Sequence, residues 1–283
     1  MTVLVTASTA PASAGEYEDA IRVDPTGCWA GPSAYLFSLH KAGSSLLNGM
    51  MEMLCEANGA AFIPVPNLLR RAGHNPNRDV VIHDSAFAAP GAVYGGFRLL
   101  PDYALPGLED APKILLLRDP RDILTSLYFS VASSHVAPGE GALKQAFERN
   151  REYVKAAPIN RIVKERAPNL KTQIERYLEN LPRQGLAVYH YEDVVLNKAA
   201  WIADLGDVLG LAADAETVRT ILDRFDIVPD SEAPDSHVRR VLPGDHRDKL
   251  GPKTIDMLDA MFSDIYDPLL SARREIPPRQ SRG

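Results

Sequence analysis

The sequence predicts an α/β fold, a central parallel β-sheet flanked by helices. Three short apolar runs are the first observation: "AYLFSL" (Ala34 to Leu39), "KILLLR" (Lys113 to Arg118) and "LAVYHYE" (Leu186 to Glu192), each ending in polar or charged residues. Runs so little interrupted by polar residues are what a sheet covered on both faces produces. The second observation is that long stretches of helical periodicity separate them, as the crossovers of a parallel sheet require.

In chain order, residues 1–30 are rich in Ala, Thr, Ser, Pro and Gly without periodicity and read as a flexible tail. Residues 275–283 read the same way, which leaves 31–274 as a single domain. "AYLFSL" runs through the polar turn His40-Lys41-Ala42-Gly43-Ser44-Ser45 into a helix-like segment ending near Leu54. Residues 60–112 and 132–165 carry more Pro and Gly and weaker periodicity, and substrate-shaping loops are expected there. Asp119-Pro120 supplies an N-cap and a first-turn proline for a helix whose Ile123, Leu124, Leu127, Tyr128 and Val131 share one face. In "KAAWIADLGDVLGL", Trp201, Ile202, Leu205, Val208 and Leu209 form a stripe, with Gly210 as C-cap. "PKTIDMLDAMFSDIYDPLL" reads as a last amphipathic helix, and no internal repeat is present.

Composition narrows the function classes. With 283 residues, 45% apolar and 24% charged, the chain has the make-up of a globular enzyme. A net charge of -6 and a pI near 5.7 exclude non-specific binding to nucleic acid or anionic lipid. An anionic ligand must therefore be held by a local pocket. Cys28 and Cys55 match no zinc spacing and read as free thiols of a reducing compartment. The opening "MTVLVTASTAPASAGE" lacks the positive n-region of a signal peptide, and no apolar run reaches the ~18 residues of a membrane span, so a cytoplasmic location is expected.

Three segments point to anion binding. The turn after Leu39 feeds a helix N-terminus, whose free N–H groups attract an anion. Lys41 adds a charge there, Gly43 allows close backbone approach, and Ser44 and Ser45 add hydroxyls. It is not a Walker motif, because Lys41 precedes the glycine. In "LLLRDPRDILTSLYFS", Arg118 ends a strand where a guanidinium can grip a phosphate, and Ser126 follows two helical turns on. In "HVRRVLPGDHRDKLG", Arg239, Arg240, Arg247 and Lys249 crowd a Pro243-Gly244 turn, with Asp245 and Asp248 as offsetting charges. Each segment alone has a plain alternative as a solvated turn or a surface ion pair.

Together and in this order the segments resemble the PAPS-dependent sulfotransferase family, over about Tyr35 to Leu269. "LHKAGSSLL" looks like the family's 5'-phosphosulfate loop, which implies Lys41, Ala42, Gly43, Ser44 and Ser45 as cofactor-binding residues. "LRDPRDILTSLYFS" is similar to its 3'-phosphate motif, implying Arg118 and Ser126 as ligands, and "YHYEDVVLN" puts Tyr191 where a tyrosine lines the adenine pocket. "RRVLPGDHRDKL" is similar to the late loop that adds Arg239 and Arg240. The sequence departs from the family at Leu46, Val241 and His246, where tryptophan, glycine and tryptophan are usual. The resemblance implies a P-loop-like sulfotransferase fold and transfer of the sulfuryl group of 3'-phosphoadenosine 5'-phosphosulfate (PAPS) to a hydroxyl or amine of a small-molecule or glycan acceptor. No metal is expected, since cationic side chains neutralise the developing charge.

The family's catalytic histidine is missing from the matching region "VYGGFRLLPDY", whose nearest positions hold Arg98 and Leu99. His83, beside Asp84, is taken as the general base, with His135, Asp102 and Tyr103 as further candidates. His40 would point away from Lys41 if the strand continued through it. Arg98 is instead suited to an acidic acceptor. The catalytic reading sets Lys41 on the leaving group's bridging oxygen and Arg118, Ser126 and Arg239 on the 3'-phosphate. A P-loop nucleotide kinase, needing ATP and Mg²⁺, and a non-catalytic nucleotide-binding protein are the alternatives. "GPKTIDMLDAMF" is faintly similar to a dimer segment of some members and leaves a homodimer open.

Overall fold

Successive residues of a strand point to opposite faces, so each apolar run supplies two cores at once. The computed structural model describes residues 31–71, 75–77, 91–134, 141–227, 240–265 and 272–276. Among these, the strands are β1 (Ala34–Ser38), β2 (Ala61–Pro64), β3 (Ala92–Phe97), β4 (Lys113–Leu117) and β5 (Leu186–His190). They form a sheet in the order β2-β3-β1-β4-β5, with every neighbouring pair parallel. The helices are α1 (Ser44–Ala57), α2 (Val65–Arg71), α3 (Pro120–Phe129), α4 (Ala142–Ala156) and α5 (Ile159–Asn180). The later ones are α6 (Tyr191–Val194), α7 (Lys198–Leu209), α8 (Ala215–Phe225), α9 (Asp245–Lys249) and α10 (Pro252–Phe262). The α/β fold with a parallel central sheet is thus observed.

Tyr35, Phe37, Leu115, Leu117 and Val188 pack against Val163, Leu170, Ile174 and Tyr177 of α5 and Leu258 of α10. Their neighbours Leu36, Ile114, Leu116 and Tyr189 pack against Leu47, Met50 and Leu54 of α1, Trp201 and Leu205 of α7, and Ile221 of α8. Burying each such side chain contributes ~1.5–3 kcal/mol, so the sheet is held from both sides. Lys113 opens β4 fully buried, and its ammonium donates to the carbonyls of Leu108, Glu109 and Ala111. The charge that begins "KILLLR" closes the preceding turn, even though burial pulls its pKa down.

Two helix boundaries follow their sequence signals. Asp119 caps α3 by accepting from the Arg121 N–H at 2.9 Å, with Pro120 in the first turn, and the chain continues as a π-helical turn over Ser130–Ser134. α7 stops at Gly210, whose φ of 72° is left-handed.

The expectation of loops over 60–112 and 132–165 is corrected. The first stretch holds β2, α2 and β3, and the second holds all of α4 and the start of α5. The glycines of β3 are there for packing: a Cβ on Gly95 would lie 2.5 Å from the Phe62 ring. α4 is largely exposed with Val154 as its buried anchor, so it lacks a wide apolar stripe.

The expected last helix ends at Phe262, and residues 266–271 lie outside the described ones. Further on, Ala272 and Arg274 bond to both backbone groups of Val188 along the free side of β5. Arg273 pairs with Asp193 at 2.5 Å, and Arg274 pairs with Asp204. The N-terminal tail, Cys28 and residues 277–283 lie outside the described residues, while Cys55 is a buried free thiol. Among the described residues no helix is long and apolar enough to cross a membrane.

Candidate functional site

Because all five strands are parallel, their carboxyl ends share one edge of the sheet, where ligands of open α/β sheets bind. β1 stops at Ser38 and gives way to a tight turn. Lys41 in that turn has φ of 66°, alone among the described non-glycine residues in being left-handed. Gly43 follows with φ of 96°, and a Cβ there would sit 2.9 Å from the Tyr191 ring. Any side chain at 43 would push the turn off that ring. The strand does not continue through His40, so alternation does not set it apart from Lys41, and His40 and Lys41 line the same cavity. Ser44 and Ser45, the first residues of α1, line it too. Ala42 does not: it is fully buried, and its N–H bonds to the Leu39 carbonyl at 3.2 Å. Its part is to shape the turn, because its donor is already engaged.

Arg118 follows β4 and is 6% exposed. Its guanidinium donates to the Lys41 carbonyl at 3.1 Å, lies 3.5 Å from Asp122 and stacks 4.4 Å over Tyr191. Asp122 is the knot of this region. It accepts from the Gly244 N–H at 2.7 Å, the His246 N–H at 3.0 Å and the His246 ring Nδ1 at 2.7 Å. Burial works against its ionisation, but the His246 bonds, the Arg118 charge and the Gly244 N–H hold the carboxyl well below the usual carboxylate range. The Tyr191 hydroxyl donates to the Val241 carbonyl at 2.9 Å, so the late loop is also tied to the start of α6, directly after β5. Glu192 accepts from the Asp119 N–H at 2.9 Å, and burial pushes its own pKa up.

These elements enclose a cavity of about 390 Å³, within the roughly 300–1,000 Å³ usual for small-molecule sites. Lys41, Gly43, Ser44 and Ser45 of the turn and α1 line it together with Arg118, Ser126, Tyr191 and Arg240. Arg239 lies outside the described residues. Arg240 pairs with Asp245 at 3.2 Å and Asp248 at 3.0 Å, so the offsetting charges of the late loop are realised. Arg247 and Lys249 are not among the lining residues, and Lys249 sits 5.5 Å over the Phe129 ring.

Sequence reasoning missed Lys198, Arg224 and Phe225, which also line the cavity. Lys198 is 3% exposed and bonds Asp226 at 2.8 Å. A Cβ on Gly49 would lie 2.5 Å from the Phe225 ring, so that glycine is the matching signal on α1. The described lining holds Lys41, Arg98, Arg118, Lys198, Arg224 and Arg240 and no carboxylate, in a chain of net charge -6. Such a cavity can hold an elongated polyanion and stabilise negative charge that builds up near Lys41.

Of the base candidates, His83 and His135 lie outside the described residues. Asp102 and Tyr103 are not brought to the cavity. Asp102 pairs with Arg176 at 2.6 Å, and the buried Tyr103 hydroxyl donates to the Pro76 carbonyl at 3.2 Å, with burial raising its pKa. Of the described histidines, His190 lies in a second cavity and His246 is buried on Asp122, which leaves His40 at this one. The second cavity, about 380 Å³ between α3 and α10, is lined by charges that pair with one another, Arg121 with Asp119 and Asp259, and Arg273 with Asp193. No group of three His, Cys, Asp or Glu side chains fit to hold a metal occurs among the described residues.

Comparison with known proteins adds the following. A family model described as "Sulfotransferase domain" matches residues 100–267. No curated protein sequence matches the chain. Among solved structures, mouse sulfotransferase SULT7A1 complexed with PAP is similar at TM-score 0.55 and 14% identity, over 83% of this chain and 84% of that one. Retinol dehydratase in complex with retinol and PAP gives TM-score 0.45 and 14% identity over 83% and 81% of the two chains. A sulfotransferase from Alicyclobacillus acidocaldarius gives 0.42 and 18% over 86% and 96%. At this identity the first likeness bears on the fold.

Proposed function

The chain belongs to the sulfotransferase family, and on that premise we propose that it moves the sulfuryl group of PAPS to a hydroxyl or amine of a small-molecule or glycan acceptor. The observation that carries this reading is the convergence, on one carboxylate-free cavity, of a lysine-bearing turn after β1 and an arginine after β4. Cationic groups from two elements suit a nucleotide with anionic groups at both its 5' and 3' positions. When bound, the donor supplies a sulfuryl group on a good phosphate leaving group. Ser44, Ser45 and the N–H groups of the turn hold the 5' end, and Lys41 stabilises the charge left as the sulfuryl group departs. Arg118, Ser126 and Arg240 hold the 3'-phosphate, with Arg239 assigned to the same task from its sequence position, and the Tyr191 ring borders the base. Catalysis then rests on alignment and fixed charge.

The proton-accepting role expected of His83 we assign to His40, the described histidine at the cavity. The test is sulfate transfer from PAPS across a panel of phenols, alcohols, amines and sugars, with His40→Gln and His83→Gln run in parallel. Wild-type protein is expected to sulfate at least one acceptor class. His40→Gln should lower kcat by ~10²-fold or more, the usual worth of a positioned base, while His83→Gln stays near wild type. Loss in His83→Gln alone returns the role to that residue. Nucleotide binding with no transfer to any acceptor contradicts the enzymatic reading.

A further inference from the structure

Of the lining cations that the donor reading leaves without a task, Arg98, Lys198 and Arg224, Arg98 is set apart by its place along the sheet. Arg98 directly follows β3, and β3 pairs with β1 on the side opposite β4. Along the edge of the sheet the order is therefore Arg98, Lys41, Arg118. The donor reading occupies Lys41 and Arg118, so Arg98 stands on the acceptor's side of the transfer point.

Its surroundings also differ from those of Arg118, Lys198 and Arg240. Arg118 has Asp122, Lys198 has Asp226, and Arg240 has Asp245 and Asp248. Arg98 is half-buried and lines the cavity, and among the described residues no carboxylate pairs with it. Burial, then the like charge of Arg70, pull its pKa down, so its described surroundings disfavour this charge. A partly desolvated guanidinium beside a second cation is costly unless an anion from outside completes it. Guanidinium geometry suits paired bonds to an oxyanion.

We propose that Arg98 binds an oxyanion carried by the acceptor, so that the preferred acceptors are hydroxy or amino compounds bearing a carboxylate or sulfate ester. This rests on the sulfotransferase reading and names the substrate class of that same site. The acceptor enters from the β3 side with its anionic group on Arg98 and its nucleophile toward Lys41.

The experiment is calorimetric titration of protein saturated with adenosine 3',5'-bisphosphate. Its probes are matched pairs: 4-hydroxyphenylacetate, N-acetylserine and glucuronate, each against its methyl ester, plus 4-hydroxyphenyl sulfate against phenol. At least one anion should bind roughly tenfold or more tighter than its neutral partner, the worth of one charged hydrogen bond. Which pair shows it tells carboxylate from sulfate. Arg98→Gln should erase the preference and Arg98→Lys restore part of it, with affinity for the bisphosphate unchanged in both. No preference in any pair, absence of binding included, overturns the proposal, as does a preference that survives Arg98→Gln. Equal weakening of bisphosphate binding by Arg98→Gln also overturns it, by assigning Arg98 to the donor. If the bisphosphate fails to bind wild-type protein, the parent reading falls and takes this one with it.

Discussion

Lys41→Ala is expected to lower sulfuryl transfer about a hundredfold, the ~3 kcal/mol of one charged donor aimed at a developing negative charge, while the protein stays folded. The structure makes this a clean substitution. Lys41 holds Arg118 through its backbone carbonyl, at 3.1 Å, and alanine keeps that carbonyl. Alanine also keeps a Cβ at φ of 66°, so the strain of the turn is the same in both proteins. Affinity for adenosine 3',5'-bisphosphate should change much less than kcat, because Arg118, Ser126 and the α1 N-terminus are untouched. Steady-state kinetics beside a binding titration checks this. Wild-type turnover in folded Lys41→Ala protein would remove Lys41 from the chemistry.

Asp122→Ala is expected to cost roughly 3–5 kcal/mol of stability, the range for removing one partner of a buried charged network. Asp122 accepts from the late loop at Gly244 and His246 and lies beside Arg118, so one carboxylate aligns two of the three anion-binding segments. Its loss should also weaken bisphosphate binding roughly tenfold or more, since Arg118 and the loop carrying Arg240 lose their common anchor. The lowered carboxyl pKa also sets how this contribution depends on pH. A depressed folded pKa gives a contribution fully present above the unfolded value of about 4 and lost as pH falls through the folded one. The stability gap between wild type and variant should therefore be widest near neutral pH and shrink in acid. Denaturant melts at both conditions read it, and a gap under ~0.5 kcal/mol at neutral pH would show that Asp122 does not anchor this region.

How much of this was legible in the sequence depended on what each residue had to satisfy. β1, β4 and β5 were readable because burial on both faces demands continuous apolar runs. β3 was not, because Gly95 is required by the Phe62 ring and glycine reads as a turn. α5 was hidden by Pro168, which sits inside a 22-residue helix whose other face buries Ile162, Leu170, Ile174 and Tyr177. Tertiary packing there outweighs the proline's local cost of ~3 kcal/mol. In the site, Lys41, Arg118 and Tyr191 each stand just past a strand, where position alone suggests function. Lys198 and Arg224 look like ordinary helix charges, and their place at the cavity comes from how α7 and α8 pack. The side of His40 turns on where β1 ends: alternation carried through it would point it away from Lys41, but the strand stops two residues earlier, at Ser38.

The central claim is that this cavity grips a nucleotide at both ends, and direct titration with adenosine 3',5'-bisphosphate against AMP tests it. Two charged bonds to the 3'-phosphate predict bisphosphate binding tighter by roughly a hundredfold, without Mg²⁺. AMP binding as tightly as the bisphosphate, or binding of ATP with Mg²⁺ alone, would contradict it.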